Sequence, residues 1–459
     1  MVGVSLSRWT MSYFAVALLA LLGAELLMIA GFGFPSQSIA TPQTLVLVHI
    51  VAIGWLSLLV SGALIQFVPV LVVKPLAYPE LPIVALALLV AGLVSLVAGF
   101  LGMAGLDVSS VPWLPLGAIA LTAGFSLNIW NLGRTMWSAR PVGMPARFVA
   151  AGLMSLVGVF TFGTIFSVAL GGWTTNAVLL RLTAEGIPLH AALGFGGWLT
   201  FTAMGVTYRL LAMFMLSPEA EHRSTQIALL AGVAAILVIL VGGPISLLVF
   251  GGDLTGPLFV ALALATVSFC SYAYDTVRLY RARKRRKIEL NARMAAWALG
   301  GLGLAILLLL AETALDEVDR VIGALVFLLA FGWLTGLGLA KLYKIVAFLT
   351  WLECYGAVLG KRPTPRVQDL VNEPRAIPWF RLYFAGVGAA FIAAFLQAPV
   401  AFRIAAFGML VATIKICLEL VSTRTLRLVP EPMLPRGDRI RPRLFLPTLE
   451  HSQRRGNTT

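Results

Sequence analysis

Apolar runs of roughly 20 residues, separated by short polar or charged stretches, fill the chain from Thr10 to Thr423. An α-helix of that length crosses the hydrocarbon core of a bilayer. We read twelve such spans, at approximately 10–34, 44–72, 81–105, 111–133, 148–172, 189–216, 226–251, 256–280, 294–316, 321–349, 379–398 and 401–423. Three of them share one grammar. Val46–Val73 carries Gly54-Trp55-Leu56-Ser57, Leu189–Phe214 carries Gly197-Trp198-Leu199-Thr200, and Ile322–Phe348 carries Gly332-Trp333-Leu334-Thr335. Two turns past each glycine stand Gly62, Gly205 and Ala340, and a turn further stand Gln66, Arg209 and Lys344. The near-equal spacing of positions 54, 197 and 332 makes this an internal threefold repeat. The pattern predicts an all-α polytopic membrane protein of about twelve transmembrane helices. They form three pseudo-symmetric four-helix units, about 1–147, 148–293 and 294–429, ahead of a basic, Pro-rich tail at 430–459.

Composition agrees with that class. Of 459 residues, 59% are hydrophobic and 12% charged, where a soluble domain carries about 25% charge. The first run is too long for a cleaved signal peptide and contains Glu25, so it reads as a retained helix. Loop charge sets the orientation. After odd-numbered spans there is little beyond Arg181, Arg320 and Arg403. After even-numbered ones come Arg134, Arg140 and Arg147, the RARKRRK run within 281–293, then Lys361, Arg362 and Arg366, and the tail. The positive-inside rule then places both termini in the cytoplasm. The net charge of +14 lies on these loops, where topology and anionic headgroups account for it without nucleic acid. Cys270, Cys354 and Cys417 share no metal or disulfide spacing and read as packing residues.

Ionisable groups inside spans are expensive to bury and are therefore the candidate chemistry. Glu25, His49, His190 and Glu312 all fall in the outer half of the membrane on this topology. Two imidazoles and two carboxylates are a donor set suited to copper, zinc or iron. The structural reading stands beside it: Glu25 as an interhelical hydrogen-bonder, and Glu312, with Asp316, Glu317 and Asp319 after it, as part of the outer interface. His222 and His451 read as solvated. On the inner side, Arg209 and Lys344 read as snorkelling cations, and Asn128, Asn131 and Asp275 as interhelical or interfacial hydrogen-bonders.

Twelve spans in three units of four, with the repeated helix second in each, resemble subunit I of the heme-copper oxidase superfamily. HIVAIGWLSLLVSGALIQFVPVLV resembles the second helix of small subunit-I-like bacterial proteins, and HAALGFGGWLTFTAMGVTYRLL the sixth helix of cbb3-type oxidases and nitric-oxide reductases. The resemblance implies a bacterial inner-membrane location, a low-spin-heme ligand at His49 and an active-site metal ligand at His190. It also has gaps. The seventh span lacks the family's adjacent histidines, and the tenth offers Leu325, Val326 and Phe327 where the family has His-x-His. A binuclear oxygen-reducing centre cannot be assembled from this set, so terminal-oxidase turnover is not expected. The two histidines also stand out of register, five residues before Gly54 but seven before Gly197, an offset that rotates a helix face by about 200°.

Three readings follow. The chain binds one heme or one metal ion, with a role in sensing, assembly or nitric-oxide or copper handling. Alternatively it is a cofactor-free structural or assembly partner of respiratory or denitrification subunits. The third reading is a secondary transporter, against which a threefold rather than twofold repeat argues.

Overall fold

Hydrocarbon offers a backbone no hydrogen-bonding partners, so apolar spans close their bonds internally as helices. The structure, a computed structural model, describes residues 3–108, 111–219, 222–315, 318–361 and 363–435, and among these there is no strand. The long helices are α1 (Gly3–Ala30), α2 (Pro42–Val72), α3 (Leu81–Met103), α4 (Trp113–Trp137), α5 (Met144–Leu170), α6 (Ile187–Met215), α7 (Arg223–Val249), α8 (Thr255–Arg281), α9 (Leu290–Leu315), α10 (Val321–Val358), α11 (Glu373–Phe395) and α12 (Pro399–Arg424). Eleven are long and apolar enough to cross a membrane, and a twelfth counts if α6 is joined to the short helix Ala177–Glu185, from which it bends by 63° at Gly186. Asp316, Glu317, Arg362, His451 and the tail beyond 435 lie outside the described residues, as do the side chains of Asp319 and Arg320.

Burial separates centre from periphery. The apolar windows of α10 and α2 are 78% and 61% buried, against 17% to 44% for the other straight spans. Outward faces carry Leu19, Ile119, Leu230, Phe259, Leu307 and Ile404, all exposed. An apolar exterior of that kind belongs to a bilayer and not to water. The protein is thus a multi-pass membrane protein. Around the centre, α3 pairs with α4, α7 with α8 and α11 with α12, while α1, α5 and α9 pack against α2, α6 and α10 respectively.

At the repeated glycines neighbouring helices come close. A Cβ on Gly54 would stand 2.9 Å from Ala20 of α1 and 2.8 Å from Leu93 of α3. At Gly332 it would meet Val387 of α11 at 3.6 Å, and a Cβ on Gly301 of α9 would stand 3.3 Å from the Gly332 backbone. Gly62 and Gly205 take the same role one level deeper, against Tyr13 of α1 and Phe148 of α5.

The repeat shows a second regularity that the 3.6-residue period hides. Each central helix widens to π geometry at the tetrapeptide, over Ile50–Ser57, Ala192–Phe201 and Leu328–Thr335. Leu58 N–H reaches Ile53 O and Gly336 N–H reaches Phe331 O, both i→i−5 bonds at one register of the repeat.

At this level the three tryptophans are buried and hydrogen-bonded in a ring. Trp55 Nε1 donates to Thr335 Oγ1 at 2.8 Å, Trp198 Nε1 to Ser57 Oγ at 3.0 Å, and Trp333 Nε1 to Thr200 Oγ1 at 3.2 Å. Each indole uses the hydroxyl that closes another copy's tetrapeptide. A buried indole N–H requires an acceptor, and the cyclic exchange supplies all three.

Candidate functional site

His49 is the last α-helical residue of α2 before its π segment, and His190 lies one turn into α6, two residues after Pro188. The N-terminus of α6 is set by the short helix before it, whose first amides are capped by Asn176 (Val178 N and Leu179 N at 3.0 and 3.3 Å). The two imidazoles meet, their ring centroids 6.5 Å apart and their planes 29° from parallel. Phe100 of α3 packs on His49 at 5.0 Å and Phe166 of α5 meets His190 edge-on at 5.5 Å, so the half-buried pair sits between aromatic neighbours.

Hydrogen bonding fixes the tautomers. His49 Nδ1 lies 2.8 Å from Leu45 O, and His190 Nδ1 lies 3.1 Å from Val159 O. A carbonyl only accepts, so in each neutral ring Nδ1 carries the proton and Nε2 keeps its lone pair. This is the arrangement of metal-ligating histidines, whose second nitrogen is held by a backbone carbonyl. A linear bridge through both Nε2 atoms, with nitrogen–metal bonds of about 2.0–2.1 Å, would set the centroids roughly 6.4 Å apart, a length that the 6.5 Å separation allows.

The carboxylates do not join them. Glu25 is fully buried on the other flank of α1, where Thr413 Oγ1 of α12 donates to its Oε1 at 2.8 Å, with Tyr383 and Cys417 as electrostatic neighbours. Its Oε2 has no hydrogen-bond partner among the described residues. Glu312 is half-buried near the C-terminal end of α9. Among the described residues no group of three or more His, Cys, Asp or Glu side chains is arranged to hold a metal. The donor set is therefore two imidazoles.

Where the resemblance would place heme ligands on α10, Val326 and Phe327 instead line a cavity of about 50 Å³ with Phe34, Val48, Val51 and Phe331. Binding sites for ligands of drug size occupy about 300–1,000 Å³, so that cavity does not fit a macrocycle. His49 is not among its lining residues.

Several polar residues anchor the fold. Asp275 of α8, fully buried, accepts from Tyr208 of α6 (2.9 Å) and from Thr225 (2.8 Å) and Ser224 at the start of α7. Asn131 clamps a loop backbone, accepting from Tyr78 N at 2.9 Å and donating to Tyr78 O at 2.8 Å. Arg209 pairs with Glu219, and Lys344 with Glu289 at 2.8 Å, so both have carboxylate partners. Lys341, which had no sequence signal beyond its charge, is buried on α10, and its Nζ has no hydrogen-bond partner among the described residues. Of the thiols, Cys354 is buried, Cys417 half-buried and Cys270 exposed.

The sequence matches no protein-family model and no curated protein.

Proposed function

We propose that His49 and His190 together hold one metal ion at the N-terminal ends of α2 and α6. The carrying observation is the adjacent pair of imidazoles, each held through Nδ1 by a carbonyl, which leaves the Nε2 lone pair for a metal. A site of two imidazoles with aromatic flanks suits copper above zinc: imidazole ligates both, and affinity at a given site runs higher for copper. Cuprous copper also accepts two-coordinate binding. The chain is then a divergent relative of oxidase subunit I, built as three four-helix units around the tryptophan ring. Its termini are cytoplasmic and its metal lies near the outer face of a bacterial inner membrane. With a single two-ligand site it serves sensing, assembly, or copper or nitric-oxide handling, and not oxygen turnover.

The test is metal analysis and an optical spectrum of the full-length protein purified from copper- and heme-replete cells. The reading expects one equivalent of copper or zinc, lost in both His49→Ala and His190→Ala. A Soret band would replace the bare ion by heme. A colourless, metal-free protein that takes up no added copper would overturn the site. It would favour a second reading, a cofactor-free assembly partner, which the absence of a third donor among the described residues supports.

A further inference from the structure

The loop between α2 and α3 leaves the membrane in an unusual way. α2 ends at Val73, which takes left-handed backbone (φ 52°) and is 85% exposed. Beyond it the chain does not hang free. Ala77 N donates to Thr135 Oγ1 at 3.0 Å, and Asn131 holds both the N–H and the C=O of Tyr78. Asn131 and Thr135 are themselves buried in α4. The loop backbone is therefore fixed against the last turns of α4, and the two enclose an open basin of about 460 Å³.

The basin is lined by Lys74 to Tyr78 on one side and by Arg134 and Ser138 on the other. Lys74 and Arg134 are exposed and form no ion pair with a described residue. Elsewhere at the polar end, Arg285, Lys344, Arg375 and Arg424 all have carboxylate partners. Next to the basin, Trp137 is 57% exposed and carries Arg140 over its ring. An exposed tryptophan at a helix end marks the headgroup level of a bilayer.

We propose that this basin is a site for the phosphate of an anionic phospholipid headgroup. Lys74 and Arg134 approach the phosphate from opposite walls, Ser138 and the Tyr78 hydroxyl offer hydrogen bonds, and Val73 lies beside the acyl chains. The guanidinium supplies the paired donors that a phosphate accepts. The clamp by Asn131 and Thr135 keeps the loop wall in place before the lipid arrives, which lowers the ordering cost of binding.

The test uses the full chain in detergent, with phosphatidylglycerol as probe and phosphatidylcholine as comparison, retained lipid per protein being read by native mass spectrometry. Two cations near the membrane surface correspond to roughly a thirtyfold weakening when removed, so Lys74→Gln/Arg134→Gln should lose most of the bound phosphatidylglycerol. The swap Lys74→Arg/Arg134→Lys should keep it. Lys284→Gln/Lys287→Gln removes the same charge from exposed lysines of the loop between α8 and α9 and should also keep it. Equal loss in that control would mean bulk attraction only and would overturn the site. Displacement of the lipid by free glycerol phosphate would overturn the lipid as its source in favour of a soluble phosphate ester.

Discussion

Trp55 on α2 donates its indole N–H to Thr335 on α10, and Thr335 passes its own proton to Ala330 O at 2.7 Å. Thr335 is thus acceptor and donor at once. Trp55→Phe leaves the hydroxyl still donating, and interhelical hydrogen bonds in membranes average about 0.6 kcal/mol with a maximum near 1.7. Thr335→Val removes the acceptor and strands a fully buried N–H, which costs about 1–3 kcal/mol. Thermal melts in detergent should therefore place Thr335→Val below Trp55→Phe. Equal melts would mean that the bond contributes nothing to the core.

The glycines of the repeat permit a second comparison. Gly54→Ala forces a methyl against Leu93 and Ala20, an overpacking that costs about 1–3 kcal/mol. Gly23→Ala on α1 meets nothing within 4 Å, and helix propensity alone should stabilise it by about 0.5–1 kcal/mol. Opposite shifts of the melting temperature are expected, and a shift in the same direction for both would contradict the close approach of α1 and α3 to α2.

Asp275 should behave as a hub. Asp275→Ala strips the acceptor from Tyr208, Ser224 and Thr225 together, whereas Tyr208→Phe removes one donor. Hydrogen bonds to a charged group contribute about 1.5–3 kcal/mol each, so Asp275→Ala should destabilise by at least that much and Tyr208→Phe by less. Limited proteolysis between α6 and α7 gives the local readout, with faster cleavage expected only in the Asp275 variant.

Lys341 makes the opposite forecast. A lysine in a membrane helix interior costs about 2.5–3.5 kcal/mol, and the ammonium of this one has no hydrogen-bond partner among the described residues. Lys341→Met keeps the stem and drops the charge, and should raise stability by a comparable amount. A loss of stability would show that the ammonium is satisfied by something the described residues do not provide, such as internal water.

Much of the architecture was legible in the sequence. Hydrophobic run length located most helix ends within a few residues, because hydrocarbon thickness is a hard ruler, although α10 runs on to Val358 and α11 starts at Glu373, beyond the apolar runs that were read. The tetrapeptide marked the central three, since Trp and Ser/Thr are the two ends of each ring bond. What was not legible traces to identifiable causes. The π segments escape a reading that assumes 3.6 residues per turn. The helix Ala177–Glu185 fell between the fifth and sixth spans because it is too short to register as an apolar run of spanning length. Asn131 read as an interhelical or interfacial bonder, and which partner it takes was not legible: it serves the Tyr78 loop backbone, because a side-chain amide matches a peptide's donor and acceptor as readily as it matches another side chain. In the candidate site, the offset of His49 and His190 said only that the two need not point into equivalent places. That the rings are neighbours is seen only in the packing of α2 beside α6, and Glu25 apart from them follows from which flank of α1 meets α12.

The tryptophan ring also sets an order of events during synthesis. When α6 enters the membrane, Trp198 can at once use Ser57, which is already there. Trp55 must wait, because its acceptor emerges 280 residues after it. Arrival of α10 then supplies Thr335 to Trp55 and finds Thr200 for Trp333 in one step, so two of the three bonds form together. Until that moment α2 holds an unpaired indole N–H in hydrocarbon, and a chain truncated before α10 should persist as a substrate for membrane quality control.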